Sequence, residues 1–332
     1  DIFLMAQASS LVYFYADLLT SSSGTIKEKL SEERVTFRDV VSMLDKTSSS
    51  ERKEDFDQNL SILKVQKEKN EEEEAVYGLK PGFLSCVSQA GENGGLVYTV
   101  TVSTAFKRIL VTFRGSTTTE DWMKNLQLIQ KEIQYGTTTV YVHKGFNDYL
   151  DEKYAGIKEH LDELQNEYSH CDLYITGHSL GGAIATLFAY RFACDSESSV
   201  HKTPFNLVTF ASPHVGDERF ATAFKNLEKM KMIRHTRVAI SSDPIPKVLA
   251  VAPYLRLLGK VGLGWAAKYN LFLQVVSRLL EILLDGKGSD RVDTYHHVGE
   301  IMSLGTTAVL FDAHSMGTYI ACISEVLEEL KQ

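Results

Sequence analysis

The chain has 332 residues, of which 44% are hydrophobic and 23% charged, a balance that excludes disordered and collagen-like classes. That length can bury one large core or two modest ones. The formal charge is −8 and no basic stripe dominates, which argues against a nucleic-acid binder.

In chain order, residues 2–19 are rich in apolar and aromatic side chains, but Gln7, Ser9, Ser10 and Asp17 interrupt them, and the stretch is marginal for a membrane span. No basic n-region precedes it and the sequence starts at Asp1, so either a leader has been removed or the sequence begins late. The compartment, secreted or intracellular with peripheral membrane contact, stays open. Residues up to about Asn70 read as helices with polar punctuation; Phe37, Val40, Val41 and Leu44 stand at helical spacing. The mixed-sign run 64–74 reads as a solvated helix face or connector. Residues 1–75 are therefore expected to be a helical extension packed on a core spanning 76–332, all in one domain.

Strands are expected at 83–89 and 96–103, joined by a turn at Glu92-Asn93-Gly94-Gly95, and a strong buried strand at Arg108–Phe113. Phe146, Leu150, Tyr154, Ile157, Leu161 and Leu164 mark one face of a long helix. A strand at 171–176, a helix at 180–193, a strand at 206–211, a helix at 217–228 and a strand at 233–240 follow. Strands alternating with helices predict an α/β fold with a mostly parallel sheet covered on both faces. Cys86, Cys171, Cys194 and Cys322 are not spaced as a zinc site and are expected to be buried free thiols, with one disulfide as the alternative. A lone sequon at Asn59 is weak evidence of secretion.

The densest chemistry lies in Gly177-His178-Ser179-Leu180-Gly181, followed by Gly182. A strand-like run precedes it and an Ala-rich helical run follows. A serine at a tight strand-to-helix turn needs small neighbours, because the backbones come close. The turn lifts the hydroxyl above the sheet edge, where the next helix aims its first amides. Ser179 is thus a candidate nucleophile.

A serine hydroxyl needs a base, and the base needs a third group to hold its tautomer. On this scaffold the order is serine, acid, histidine. Asp243 follows the strand at 233–240 and precedes Pro244-Ile245-Pro246, which would stiffen its loop. The competitor, Asp217, better suits the N-cap of the helix that starts there. Downstream, spacing leaves His297 and His314 level as the base. His178 is expected to be buried and hydrogen-bonded, and His143 to support a loop before the long helix.

Several segments are similar, in order and rough spacing, to the class 3 (fungal-type) lipase family. They are Val111-Thr112-Phe113-Arg114-Gly115-Ser116, Val142-His143-Lys144-Gly145-Phe146, the segment around Ser179, Thr209-Phe210-Ala211-Ser212-Pro213, Ser242-Asp243-Pro244-Ile245-Pro246 and His297-Val298-Gly299-Glu300. The resemblance implies an α/β-hydrolase fold and acylglycerol ester hydrolysis without a metal or organic cofactor. In that family the His-x-Gly-Glu element is not catalytic, so the resemblance selects His314. It also implies that Ser116 joins the Leu180 amide in an oxyanion hole, and that 117–127 is a lid carrying Thr118, Trp122 and Met123. Three lid threonines depart from the family's more apolar pattern, which puts strong interfacial activation in doubt.

A larger departure is the insertion at 247–285. From 247 to 280 it carries Lys247, Arg256, Lys260, Lys268 and Arg278 and no acidic residue. Its apolar residues recur at helical spacing, which suggests that Arg256, Lys260 and Lys268 dock on anionic lipid; a helix packed on the core with its lysines in solvent is the alternative. Phospholipase A1, galactolipase or feruloyl esterase activity, or a catalytically silent interaction role, are the competing functions. The oligomeric state stays open.

Overall fold

Arg108–Phe113 is buried at every position after the first, with apolar residues on both of its faces. The computed structural model describes residues 1–21, 77–79, 98–103, 107–116, 129–135, 138–195, 204–247, 295–308 and 312–331. The expected strand at 83–89, the helical residues 37–44, the charged run 64–74, the 117–127 segment, Cys86 and the 248–285 part of the insertion lie outside these residues.

A seven-stranded sheet is built from β1 (Tyr77–Leu79), β2 (Tyr98–Ser103), β3 (Arg108–Phe113), β6 (Asp172–His178), β7 (Phe205–Phe210), β8 (Ile233–Ile240) and β9 (Glu300–Leu304), in that spatial order. The first two pairings are antiparallel; from β3 onward every pairing is parallel. Phe113 pairs with Gly177, Gly177 with Thr209, and Phe210 with Val238, so the carboxyl ends of these strands share one edge. Loops leaving that edge converge, which is where open α/β sheets place their sites.

Alternate residues of each strand feed two separate cores. Ile109, Val111, Leu173, Ile175 and Leu207 pack under α2 (Lys144–Glu167), α3 (Leu180–Asp195) and α4 (Glu218–Lys229). Leu110, Tyr174, Val208 and Val238 pack on the other face under α1 (Ile2–Ser21) and α5 (Met316–Glu329). This mostly parallel sheet, covered on both faces, is the α/β fold that the alternation of strands and helices predicts. The six apolar residues expected on one face of α2 are all buried. α3 is apolar almost all round because it lies beneath its neighbours, and its alanines allow close approach to the sheet. Asp217 caps α4, accepting from the Phe220 amide at 2.9 Å, as its sequence context predicts.

The hairpin of β4 (Gln130–Tyr135) and β5 (Thr138–His143) is a feature that the periodicity did not announce. Its first strand has mostly polar residues and little burial, so the apolar signal is faint. β9 also went unannounced: it is an edge strand, and Ile301 is 59% exposed. Cys171 and Cys194 are half-buried and Cys322 is buried, all with free thiols. The expectation of burial thus holds fully for Cys322 and only in part for the other two. Residues 2–21 form a helix, as expected, and among the described residues no helix is long and apolar enough to cross a membrane.

Candidate active site

Ser179 occupies the turn between β6 and α3 with φ of 57°, the left-handed region that side chains rarely adopt. Its backbone is held from three sides: its amide donates to the Phe210 carbonyl at 2.9 Å, and its carbonyl accepts from Gly182 at 2.9 Å and Ala183 at 3.2 Å. The turn closes only because its flanks lack side chains. A Cβ on Gly177 would overlap the Gly181 carbonyl, and one on Gly181 would press on the Phe113 carbonyl carbon at 2.8 Å. Ser179 is 5% exposed, at the carboxyl edge of the sheet.

Asp243 leaves the end of β8 through a turn in which its own amide donates to the Ile240 carbonyl at 3.1 Å. Its fully buried carboxylate accepts from the Ile245 amide (2.9 Å), the Tyr319 hydroxyl (2.9 Å) and His314 Nδ1 (2.9 Å to Oδ2). A buried carboxylate requires such donors. The Tyr319 oxygen in turn accepts from the Ile240 amide at 3.0 Å. Burial, then the adjacent Asp243 carboxylate, push the Tyr319 hydroxyl well above the ordinary phenol range, so it donates as a neutral group. Sequence reasoning assigned Tyr319 no role, although it stands one helical turn into α5, where an i+4 or i+5 partner of His314 would fall.

His314 ends a single 3-10 turn, Asp312–His314, and Ser315 directly after it caps α5 by accepting from the Thr318 amide at 3.1 Å. A carboxylate only accepts, so His314 Nδ1 carries the proton that Asp243 receives. Nε2 is then left as the acceptor for the Ser179 hydroxyl, 2.9 Å away. The structure therefore brings together Ser179, Asp243 and His314 from three distant parts of the chain.

The other histidines are occupied elsewhere. His143 ends β5 and caps α2, its Nδ1 accepting from the Phe146 amide at 3.3 Å. His297 stacks on His214 with ring centroids 3.5 Å apart and, among the described residues, has no carboxylate partner of the kind His314 has. Burial, then the neighbouring His214 and Arg237, push His297 well below the ordinary histidine range. His214 is pushed down to about 3, first by burial and then by Arg237 and His296. His178 is buried, and its ring lies 4.7 Å from that of His314.

Ser116 is half-buried in the segment leaving β3, and Leu180 supplies the first residue of α3, where amides have no partner inside the helix. Thr118, Trp122 and Met123, like Arg256, Lys260 and Lys268, lie outside the described residues. Among the described residues no group of three or more His, Cys, Asp or Glu is arranged to hold a metal ion.

The model of the family "Lipase (class 3)" matches residues 110–252, which contain the end of β3, the serine turn and Asp243. Residues 110–252 thus resemble the class 3 lipase family. The chain is 32% identical over 161 residues to the secreted mono- and diacylglycerol lipase 1 of Fusarium solani, covering 48% of this chain and 45% of that protein. It is 27% identical over 204 residues to phospholipase A1-II 3 of Oryza sativa subsp. indica, covering 52% and 47%. The Rhizomucor miehei lipase in its propeptide complex is 27% identical, with 47% and 49% covered and a TM-score of 0.41. The chain spans about half the length of the curated relatives it matches. His314 falls beyond the matched residues and joins the site through geometry alone.

Proposed function

We propose that the chain is a serine carboxylic-ester hydrolase acting on acylglycerols, in one domain, with Ser179, His314 and Asp243 as its triad. The carrying observation is the continuous hydrogen-bonded line from Asp243 Oδ2 through the His314 ring to Ser179 Oγ, each link 2.9 Å. The name of the Fusarium solani relative supports the acylglycerol reading.

In this reading Ser179 Oγ attacks the ester carbonyl while His314 Nε2 takes its proton. Asp243 holds the imidazole and stabilises its charged form. The carbonyl oxygen, now negative, is met by the Leu180 amide and by the amide and hydroxyl of Ser116. His314 then protonates the leaving alcohol, and a water activated by the same ring releases the acid from the acyl-enzyme. The reaction calls for no metal or organic cofactor. The segment 117–127, with Thr118, Trp122 and Met123, is read as the lid over this site.

Phospholipase A1 activity is the second reading, favoured by the similarity to the rice protein. Hydrolysis of triacylglycerol, diacylglycerol, phospholipid and a short-chain ester, each by wild type and S179A, tests both readings. Activity that survives S179A, or wild-type silence on every substrate, would overturn the hydrolase. We further propose that Arg256, Lys260 and Lys268 contact anionic lipid; charge reversal at all three is expected to weaken binding to anionic vesicles, and unchanged binding would refute it.

A further inference from the structure

Helix α1 runs alongside β6 and is tied to it at three levels. Residues 174, 176 and 178 alternate onto one face of β6, and each meets a polar group of α1 or of its leading residue. The Tyr174 hydroxyl donates to Asp1 at 3.2 Å. Thr176 donates its hydroxyl proton to the Val208 carbonyl at 2.7 Å, so Ser9 is the donor in their 3.1 Å contact. Tyr13, one turn further, has its hydroxyl 3.0 Å from His178 Nδ1.

The third tie reaches the reacting groups. His178 Nε2 lies 2.8 Å from the backbone carbonyl of His314, and a carbonyl only accepts, so Nε2 carries the proton. Burial, then the nearby His314 ring, push His178 well below the ordinary histidine range, so the ring is neutral and Nδ1 is a bare acceptor. Tyr13 is the donor that this tautomer demands. The same tyrosine oxygen accepts from the Gly115 amide. Gly115 is packed so closely there that an added Cβ would overlap the Tyr13 hydroxyl and sit 2.7 Å from the His178 carbonyl. Gly115 directly precedes Ser116.

We infer that Tyr13 is a positioning residue: its hydroxyl anchors the His178 ring that holds the backbone of His314, and fixes the Gly115 amide that leads into Ser116. One side chain of the N-terminal helix thus registers the base and the strand-end loop against the serine turn. The inference rests on the proposed hydrolase chemistry, and deepens it. Without the hydroxyl, the His314 carbonyl still keeps the proton on Nε2, but the buried Nδ1 loses its donor and the ring is held from one side only. The Gly115 amide would also lose its acceptor.

The test uses the whole chain and Tyr13→Phe, which keeps the ring and its packing. Labelling of Ser179 by a fluorophosphonate and turnover of a soluble ester are expected to slow by about 5- to 50-fold, with KM within about two-fold. The ¹⁵N shift of His178 Nδ1 should move to that of a bare nitrogen that has lost its donor, with Nε2 still protonated. His178→Gln, whose side-chain amide can donate from the position of Nε2 and has no ring Nδ1 to satisfy, should make the Tyr13→Phe effect smaller in the double variant. Ser9→Ala removes the tie one turn earlier; it should lower Tm and leave kcat within about two-fold.

An unchanged His178 Nδ1 shift in Tyr13→Phe, or kcat within two-fold of wild type, overturns the inference. So does a Ser9→Ala variant that slows turnover as much as Tyr13→Phe. Failure of the wild type to react with the fluorophosphonate would instead overturn the hydrolase reading, and the His178 Nδ1 shift would still decide whether Tyr13 anchors that ring.

Discussion

Two pairs of histidine rings stand against each other, and their contrast separates the imidazole proposed as the base from a structural one. His178 and His314 have ring centroids 4.7 Å apart; His214 and His297 are 3.5 Å apart and more nearly parallel. In the first pair, His314 has a carboxylate on one nitrogen and a serine hydroxyl on the other. In the second, His214 is buried and His297 half-buried, both near the Arg237 guanidinium, which opposes a further positive charge. Both His214 and His297 also hydrogen-bond the Pro246 carbonyl, three residues beyond Asp243. A histidine becomes a base through its partners, and burial alone makes it an inert, neutral brace.

The largest effects expected from this contrast fall on the first pair. H314A or S179A should each lower kcat by about 10⁴- to 10⁶-fold, and the double variant should lose little more, because the two act as a unit. H297Q should stay within about ten-fold of wild type. Hydrolysis of a chromogenic ester measures all four, and an H297Q loss equal to that of H314A would break the comparison. D243N should cost about 10³- to 10⁴-fold in kcat, by releasing the His314 tautomer.

Acid sharpens the contrast through the second pair. His214 and His235 are held down to about 3 in the folded chain, in each case first by burial and then by Arg237; His178 and His297 are also held below the ordinary value. An unfolded histidine titrates near about 6.5, so above that pH both states bind no proton and stability is fully present. As pH falls below it, the unfolded state takes up protons that the folded state refuses. Each such histidine then withdraws up to about 1.4 kcal/mol per pH unit. Tm should therefore fall steeply from about pH 6.5 to pH 4, and H297Q should flatten that descent. Equal slopes for the two proteins would refute the assignment.

Smaller effects belong to the supporting groups. Y319F removes a donor from Asp243 and an acceptor from the Ile240 amide; about 1–3 kcal/mol of stability should be lost, read by urea unfolding. The competing acid offers the matching contrast. D217A should cost about 1 kcal/mol through the lost α4 cap, shift Tm by a few degrees and leave kcat unchanged, whereas D243N acts mainly on kcat. A large kcat loss in D217A would reverse the two assignments.

The elements legible from the residues share one property: their signal is local and strong. β3 and β6 carry apolar residues on both faces, α2 shows one apolar face, and the glycines around Ser179 allow a turn that any neighbouring side chain would close off. β4 and β9 were missed because strands with little burial carry little apolar pattern. The cap at Asp217 was readable because a cap and a strand-end loop differ in their neighbours. The choice between His297 and His314 was not readable from spacing, since both follow Asp243 and both lie in plausible loops.

What the amino-acid order determined by itself was therefore the serine turn, the alternation of strands and helices, and the cap at Asp217, each set by interactions within a few residues. The tertiary structure alone decided that the His314 ring meets Asp243 and Ser179, that Tyr319 completes the shell of the acid, and that Tyr13 reaches His178 across 165 positions. Those contacts depend on parallel strand register and on where α1 and α5 lie against the sheet. Such placement emerges from burying two whole faces at once, and no window of neighbouring residues encodes it.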